Sequence, residues 1–184
     1  MGNRLSKIYT RTGDAGNTGL GDGKRVSKDS LRIAVLGAVD ETNARIGVVL
    51  THALPDAVRD DLIVIQHALF DLGGELCLPG HTAIADTDVT WLEQRIDHFN
   101  AELPALKEFV LPGGGPASAH CHLARTGCRH AERVLVALSR EEAVRPQALS
   151  LLNRLSDYLF VLTRVLARSS GHQETLWEHG KRQR

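Results

Sequence analysis

Aromatic side chains make up only 4% of the chain although 42% of it is hydrophobic. A core must therefore come from aliphatic residues, and an Ala/Leu/Arg/Glu-rich body of this kind favours packed helices over a sheet. Cysteine is scarce too: Cys77, Cys121 and Cys128 form no C-x-x-C pair, and an odd count argues against a disulfide framework. They read as small core residues of a reducing compartment. Net charge is absent, with Lys+Arg and Asp+Glu at 22 each, so no global field recruits nucleic acid or an anionic membrane and any anion site has to be local. No apolar run approaches a membrane span, and no contiguous apolar stretch marks a signal peptide. The expectation is a cytoplasmic protein with neither a nucleic-acid nor a membrane partner. Residues 1–6 fit the loose myristoylation pattern, which is short and common by chance. No Pro/Ser/Gly-rich linker divides the 184 residues, so one domain over 1–184 is expected. The nine histidines are scattered, and His120 and His122 face apart on a helix, so no metal site built by the protein alone is expected.

What the chain does have is a glycine-rich stretch at residues 9–28, with Gly13, Gly16, Gly19, Gly21 and Gly23 set among hydroxyls and cations. Glycines let successive backbone N–H groups converge on one anion, Thr10, Thr12 and Thr18 offer hydroxyls, and Arg11, Lys24, Arg25 and Lys28 offer charge. The competing reading is a flexible terminal segment. Two standard nucleotide loops are excluded. Thr18 stands where a Walker A loop needs its first glycine and Arg25 where it needs Ser or Thr; Lys24 stands where a dinucleotide fingerprint needs its third glycine.

Beyond residue 28 the pattern turns helical. Asp29 and Ser30 can cap a first helix to about Thr51, with Leu31, Val35, Val39 and Ile46 apolar and Asp40, Asn43 and Gly47 on a polar stripe. A second helix from Pro55 carries Val58, Leu62, Ile65, Leu69, Leu72 and Leu76 in steps of four and three; Gly73 and Gly74 inside it suggest close approach by a neighbour or ligand. The third has Val89, Leu92, Ile96, Phe99 and Leu103 and ends at Pro104. Residues 109–116 then form an apolar knuckle and glycine turn, in which Phe109 is either a staple between helices or a surface for a ligand.

The fourth helix, 117–140, has its seam at Ala117, Cys121, Ala124, Cys128, Ala131, Leu135 and Leu138. Beside it lie Arg125, Arg129, Glu132 and Arg133. Such charges commonly snorkel or pair across helices, but arginines one turn apart also grip phosphate oxygens, with Glu132 available to a magnesium ion's water or a ribose hydroxyl. The fifth, 146–169, is apolar on most sides and so central, with Asn153, Arg154, Asp157 and Arg164 inside it in need of partners. The tail, 171–184, is expected to be flexible, Trp177 being able to fold back as a lid.

Five ordered blocks, Tyr9-Thr-Arg-Thr-Gly-Asp14, Gly37-Ala-Val-Asp-Glu-Thr-Asn43, Phe109-Val-Leu-Pro-Gly-Gly114, Arg125-Thr-Gly-Cys-Arg-His-Ala-Glu-Arg133 and Asn153-Arg-Leu-Ser-Asp-Tyr-Leu-Phe160, resemble the PduO-type ATP:cob(I)alamin adenosyltransferases over nearly the whole length. The resemblance implies an all-α, ferritin-like five-helix bundle (29–170) behind an irregular N-terminal ATP-binding loop (1–28). It implies a homotrimer, with ATP and corrinoid bound between subunits. ATP would be held by Thr10, Arg11, Thr12, Gly13, Asp14, Thr18, Gly19 and Lys28 together with Arg129, Glu132, Arg133 and Asn153. Asp40 would pair with Arg125 across the subunit contact, and Phe109 would sit beneath the corrin, where dimethylbenzimidazole must be kept off cobalt.

Phe109, Arg129, Asp40 and Arg125 are thus the implied catalytic set. Mg²⁺ would accompany ATP near Glu132, and a cobalamin reductase would be a partner. By the same resemblance, cob(I)alamin attacks the 5′ carbon of ATP and expels triphosphate, leaving the protein to position and to stabilise charge. His130, where the family commonly has a second arginine, and Thr42, where it commonly has leucine, depart from the pattern. Two other readings stand beside this one: an adenine-nucleotide-binding bundle without corrinoid chemistry, and a structural oligomer whose charges only pair across helices.

Overall fold

The apolar face of helix α1 (Leu31–Leu50) turns inward as its spacing requires, burying Val35, Val39 and Ile46 with Leu31 at the margin. The computed structural model describes residues 9–181. The arm leading into Tyr9, the pattern at residues 1–6 and the last three basic-end residues lie outside the described residues. Ahead of α1, the glycine-rich stretch contains an antiparallel hairpin of β1 (Asn17–Gly19) and β2 (Arg25–Ser27), with Thr18 opposite Val26. Ser30 sits at the N-cap of α1 in extended geometry, but its hydroxyl makes no capping bond and is buried without a partner among the described residues.

Four further helices follow: α2 (Asp56–Cys77), α3 (Asp86–Asn100), α4 (Pro116–Leu138) and α5 (Pro146–Ser169). The main packing order runs α2, α1, α4, α5, α3. Every seam residue expected on α2 and α4 is buried. The α4 seam is alanine and cysteine up to Ala131, and that small surface brings α5 close enough for the thiols of Cys121 and Cys128 to donate to the carbonyls of Leu159 and Leu152 at 3.4 and 3.2 Å. Burial pushes the Cys121 thiol up to about 12, with the Arg125 charge opposing weakly, so it stays a neutral core group. On α3 only Leu92 is fully buried, while Val89, Ile96 and Phe99 pack at the edge; the helix ends at Asn100, before Leu103.

Two polar clusters fix the far side of the bundle. Asp61 on α2 accepts from Arg95 of α3 at 2.7 Å and from the buried Tyr158 hydroxyl of α5 at 2.8 Å. Glu75 accepts the backbone N–H groups of Ala83 and Ile84 at 2.9 and 3.0 Å and Arg145 at 3.0 Å, tying down the connection that follows α2. Burial alone would raise the Glu75 carboxyl, but these donors outweigh it and hold it below its ordinary value.

Candidate functional site

The glycine-rich segment folds into a braced loop. The Arg25 guanidinium donates to the carbonyls of Thr12 and Asn17 at 2.5 and 3.1 Å, Lys28 N donates to the Gly16 carbonyl at 2.9 Å, and the Thr10 and Thr12 hydroxyls lie 2.9 Å apart. Arg25, read from sequence as one more anion-binding charge, is therefore a structural strut. Lys28 is different. A Cβ on Gly13 would come within 3.1 Å of Lys28 Nζ, so the exposed ammonium lies against the bare backbone of Gly13. Arg11 adopts φ +61°, the sole non-glycine residue with positive φ among the described residues, a conformation that costs of order 1–3 kcal/mol. Gly21 N donates to the Cys77 carbonyl at 2.9 Å and anchors the hairpin tip to the end of α2.

A second polar surface lies on α4 and α5. Asn153 donates to Glu132 Oε1 at 2.9 Å, joining the two helices. Arg129 is exposed and its guanidinium has no partner among the described residues, whereas Arg133 bends back to donate to the Arg129 carbonyl at 2.9 Å. Asn153 and Asp157 are exposed rather than embedded in the bundle, and Arg154 is drawn off to Glu93 at 2.9 Å. Of the four polar residues expected inside α5, only Arg164 is buried, at 3% exposure.

Phe109 stands 78% exposed at the rim of an open cleft of about 560 Å³, lined also by Lys107, Glu108, Arg125 and Phe160. Arg125 is half-buried, and its Nε is buried without a hydrogen-bond partner among the described residues; burial first, and the charge of Arg129 second, lower its pKa. The backbone under Phe109 is held firmly. Leu111 N donates to the Thr175 carbonyl at 2.8 Å and Trp177 N to the Phe109 carbonyl at 2.7 Å, around a bridge between Val110 and Leu176. The segment after α5, expected to be loose, is thus bonded to the loop that carries Phe109. Its anchor is Glu174, which accepts from the buried Arg164 Nε at 2.6 Å while Arg164 Nη2 also donates to the Pro104 carbonyl at 2.7 Å.

The glycine turn makes this return possible. Gly114 and Gly115 take φ of +81° and +89°, and a Cβ on them would come within 2.8 Å of Ala167 and 2.7 Å of His172. Beneath the turn His122 is 4% exposed with Nδ1 unpartnered, and burial, reinforced by Arg125, lowers its pKa to about 4. The return of the tail agrees with the expectation that Trp177 can fold back, but the bond it makes is through its backbone N–H to Phe109. Arg164, one of the four α5 residues in need of a partner, finds it in Glu174.

Asp40 lies elsewhere, on the α1–α2 side, in a hollow with Asn43, Phe70, Gly73, Gly74 and Cys77. It forms no hydrogen bond or ion pair among the described residues, Phe70 beside it is 72% exposed, and a Cβ at Gly73 or Gly74 would meet nothing within 4 Å. Among the described residues no neighbour fills the space those glycines leave. Within one chain the structure therefore brings Lys28 to Gly13, Glu132 to Asn153, and Arg125 to the Phe109 cleft. Among the described residues no bond joins the loop to Arg129 or Glu132, or Asp40 to Arg125.

Residues 8–166 match the family model described as cobalamin adenosyltransferase. A protein of that description from Cupriavidus metallidurans is 56% identical over 179 residues, covering 97% of each chain. A corrinoid adenosyltransferase from Bacillus subtilis is 43% identical over 179 residues, covering 94% of this chain and 92% of its own. Among solved structures, a phenylalanine-to-alanine variant of a PduO-type ATP:corrinoid adenosyltransferase from Lactobacillus reuteri, complexed with cobalamin and ATP, superposes with a TM-score of 0.89. It is 34% identical, with 94% of this chain and 99% of that one covered. An arginine-to-lysine variant of the enzyme from the same organism, complexed with ATP, gives a TM-score of 0.87 at 36% identity, with 93% and 100% covered.

Proposed function

The chain belongs to the cobalamin adenosyltransferase family, and on that premise we propose how its own residues carry out the family's reaction. It is an ATP:corrinoid adenosyltransferase: the 5′-deoxyadenosyl group of ATP passes to the reduced cobalt of cobalamin, and triphosphate leaves. The observation that carries the assignment of roles is the Phe109 cleft. An exposed aromatic ring on a loop whose backbone is bonded to the returning tail is a flat apolar face of the kind a corrin ring can cover.

Phe109 lies under the corrin and keeps water and the dimethylbenzimidazole base from cobalt, which favours reduction to the nucleophilic Co(I) state. The loop residues Thr10, Arg11, Thr12, Gly13, Asp14, Thr18, Gly19 and Lys28 hold ATP from one subunit; Arg129, Glu132, Arg133 and Asn153 hold it from the next. Lys28 and Arg129 face the departing triphosphate and stabilise the charge that gathers on it, and Arg133 joins them by releasing the Arg129 carbonyl. The reaction needs no side-chain base, because the attacking electron pair belongs to cobalt and the leaving group is already anionic. Positioning of the 5′ carbon against cobalt is the protein's main contribution.

Three features support a shared site in a homotrimer. Asp40 lacks a partner among the described residues, Arg125 keeps a buried Nε without one, and the loop does not reach Arg129 within the chain. An Asp40–Arg125 pair between subunits satisfies the first two. Glu132 keeps Oε2 without a hydrogen bond among the described residues, a fit for the water shell of a Mg²⁺ ion that would offset triphosphate charge. A cobalamin reductase supplies the electron, and the cytoplasm is the setting we assign; no helix among the described residues is long and apolar enough to cross a membrane.

Anaerobic incubation with ATP and chemically reduced cobalamin tests the assignment. A light-sensitive Co–C product formed together with triphosphate supports it. Release of ADP or orthophosphate without a cobalt product would instead favour a nucleotide-binding bundle lacking corrinoid chemistry.

A further inference from the structure

A second hollow, of about 400 Å³, lies between residues 104–107, the end of α5 and the returning tail. It adjoins the Phe109 cleft, since Leu106 and Lys107 line both. Its charged lining is Lys107, Arg164, Arg168 and Glu174, with His172 and Gln173. Glu174 is occupied by Arg164, at 2.6 Å to Nε and 3.4 Å to Nη2. That leaves Lys107 and Arg168 as the excess charge, and neither side chain makes an ion pair or hydrogen bond among the described residues. His172 engages Ser170 through Nδ1 at 3.1 Å, which leaves its Nε2 available. On the cleft side the lining holds one acid, Glu108, whose carboxylate takes the Phe109 N–H at 2.9 Å, and a second cation besides Lys107, Arg125. An anion leaving the cleft past Lys107, which lines both hollows, therefore meets further positive charge at Arg168.

Cobalamin carries such an anion. Its dimethylbenzimidazole is tethered to the corrin through a ribose and a phosphodiester with one negative charge, and when Phe109 takes the place beneath cobalt the whole tail must move aside. We propose that Lys107 and Arg168, with His172, form a subsite for the phosphodiester of the displaced nucleotide tail. The proposal rests on the reading of Phe109 as the residue under the corrin. The subsite has a thermodynamic consequence as well: the phosphate reaches these cations only after the base has left cobalt. Their contact therefore stabilises the base-off form selectively and adds to the work of Phe109.

The test compares cobalamin with cobinamide, which has the same corrin ring but no nucleotide tail. In the Lys107→Ala/Arg168→Ala double variant, Kd for cobalamin should rise roughly tenfold at low ionic strength, on the scale of two partly exposed charge contacts. Kd for cobinamide should stay at the wild-type value, and added salt should erase the difference between wild type and variant for cobalamin. An equal loss for both corrinoids, or no loss for either, overturns the subsite. Phe109→Ala serves as the separate control: if it leaves base-off binding of cobalamin intact, the reading of the cleft falls first, whatever the double variant does.

Discussion

The backbone N–H of Trp177 donates to the carbonyl of Phe109 at 2.7 Å, so the backbone carrying the most exposed ring in the cleft is held by a segment nearly seventy residues further along the chain. That segment is fastened in turn by Glu174 on Arg164. Glu174→Gln leaves a buried guanidinium without its counter-charge, at about 3 kcal/mol of local stability. The expected result is a smaller fraction of bound cob(II)alamin in the base-off form, seen by absorbance, and a lower kcat, with ATP affinity unchanged. Glu174→Asp should recover part of both. A variant with normal spectra and normal kcat would show that the tail does not position Phe109.

Phe109→Ala should keep ATP binding and slow adenosylation by at least about tenfold, equivalent to about 1.4 kcal/mol of barrier. Titration of ATP and single-turnover formation of the Co–C product separate the two effects. Turnover at the wild-type rate contradicts a role under the corrin.

Arg129→Ala should weaken ATP roughly tenfold or more, the usual scale for losing a charge-assisted hydrogen bond to phosphate. Its thermal midpoint should stay where it is, because the side chain is exposed and has no partner among the described residues to lose. A lower midpoint with unchanged ATP affinity would make it a structural residue.

His122 predicts an acid-side loss of stability. Its pKa in the fold, lowered to about 4 by burial and by Arg125, lies below the ordinary value of 6.5 for the unfolded chain. The unfolded state therefore takes up the proton first. The stabilisation is fully present above about pH 6.5 and is lost as pH falls towards 4, by about 3 kcal/mol in all. Denaturant titrations across that window should show this slope in wild type and a flatter one in His122→Leu. From about pH 4.5 downward the Glu75 carboxylate adds its own loss, because its lowered pKa lets the unfolded chain take up the proton first.

The seams of α2 and α4 could be read from sequence residue by residue, because a four-three apolar rhythm reports directly on the buried face of a helix. Phe109 and Arg125 could be singled out too, one by its glycine turn and one by its place beside the α4 seam. The polar residues of α5 could not be sorted in this way. Asn153 and Asp157, one turn apart, fall on its exposed edge, while Arg164 two turns later falls inside. Distinguishing them required knowing where α4 and the tail lie. The Glu174 latch has no periodic signal at all: it follows a left-handed Gly171 at φ +74° that turns the chain back on itself. Arg25, one cation among several in sequence, became a brace only once the hairpin was seen to place it over Thr12 and Asn17.

A site divided between subunits is the central claim, and mixing two inactive variants tests it most directly. Lys28→Ala disables only the loop, and Arg129→Ala disables only the α4 surface. Each alone should form adenosylated cobalamin slowly. Co-folded into mixed oligomers, they should regain activity, because some sites then pair an intact loop with an intact neighbouring helix face. Mixed oligomers that remain as inactive as their parents would place the loop and Arg129 of one chain in the same site and contradict the account.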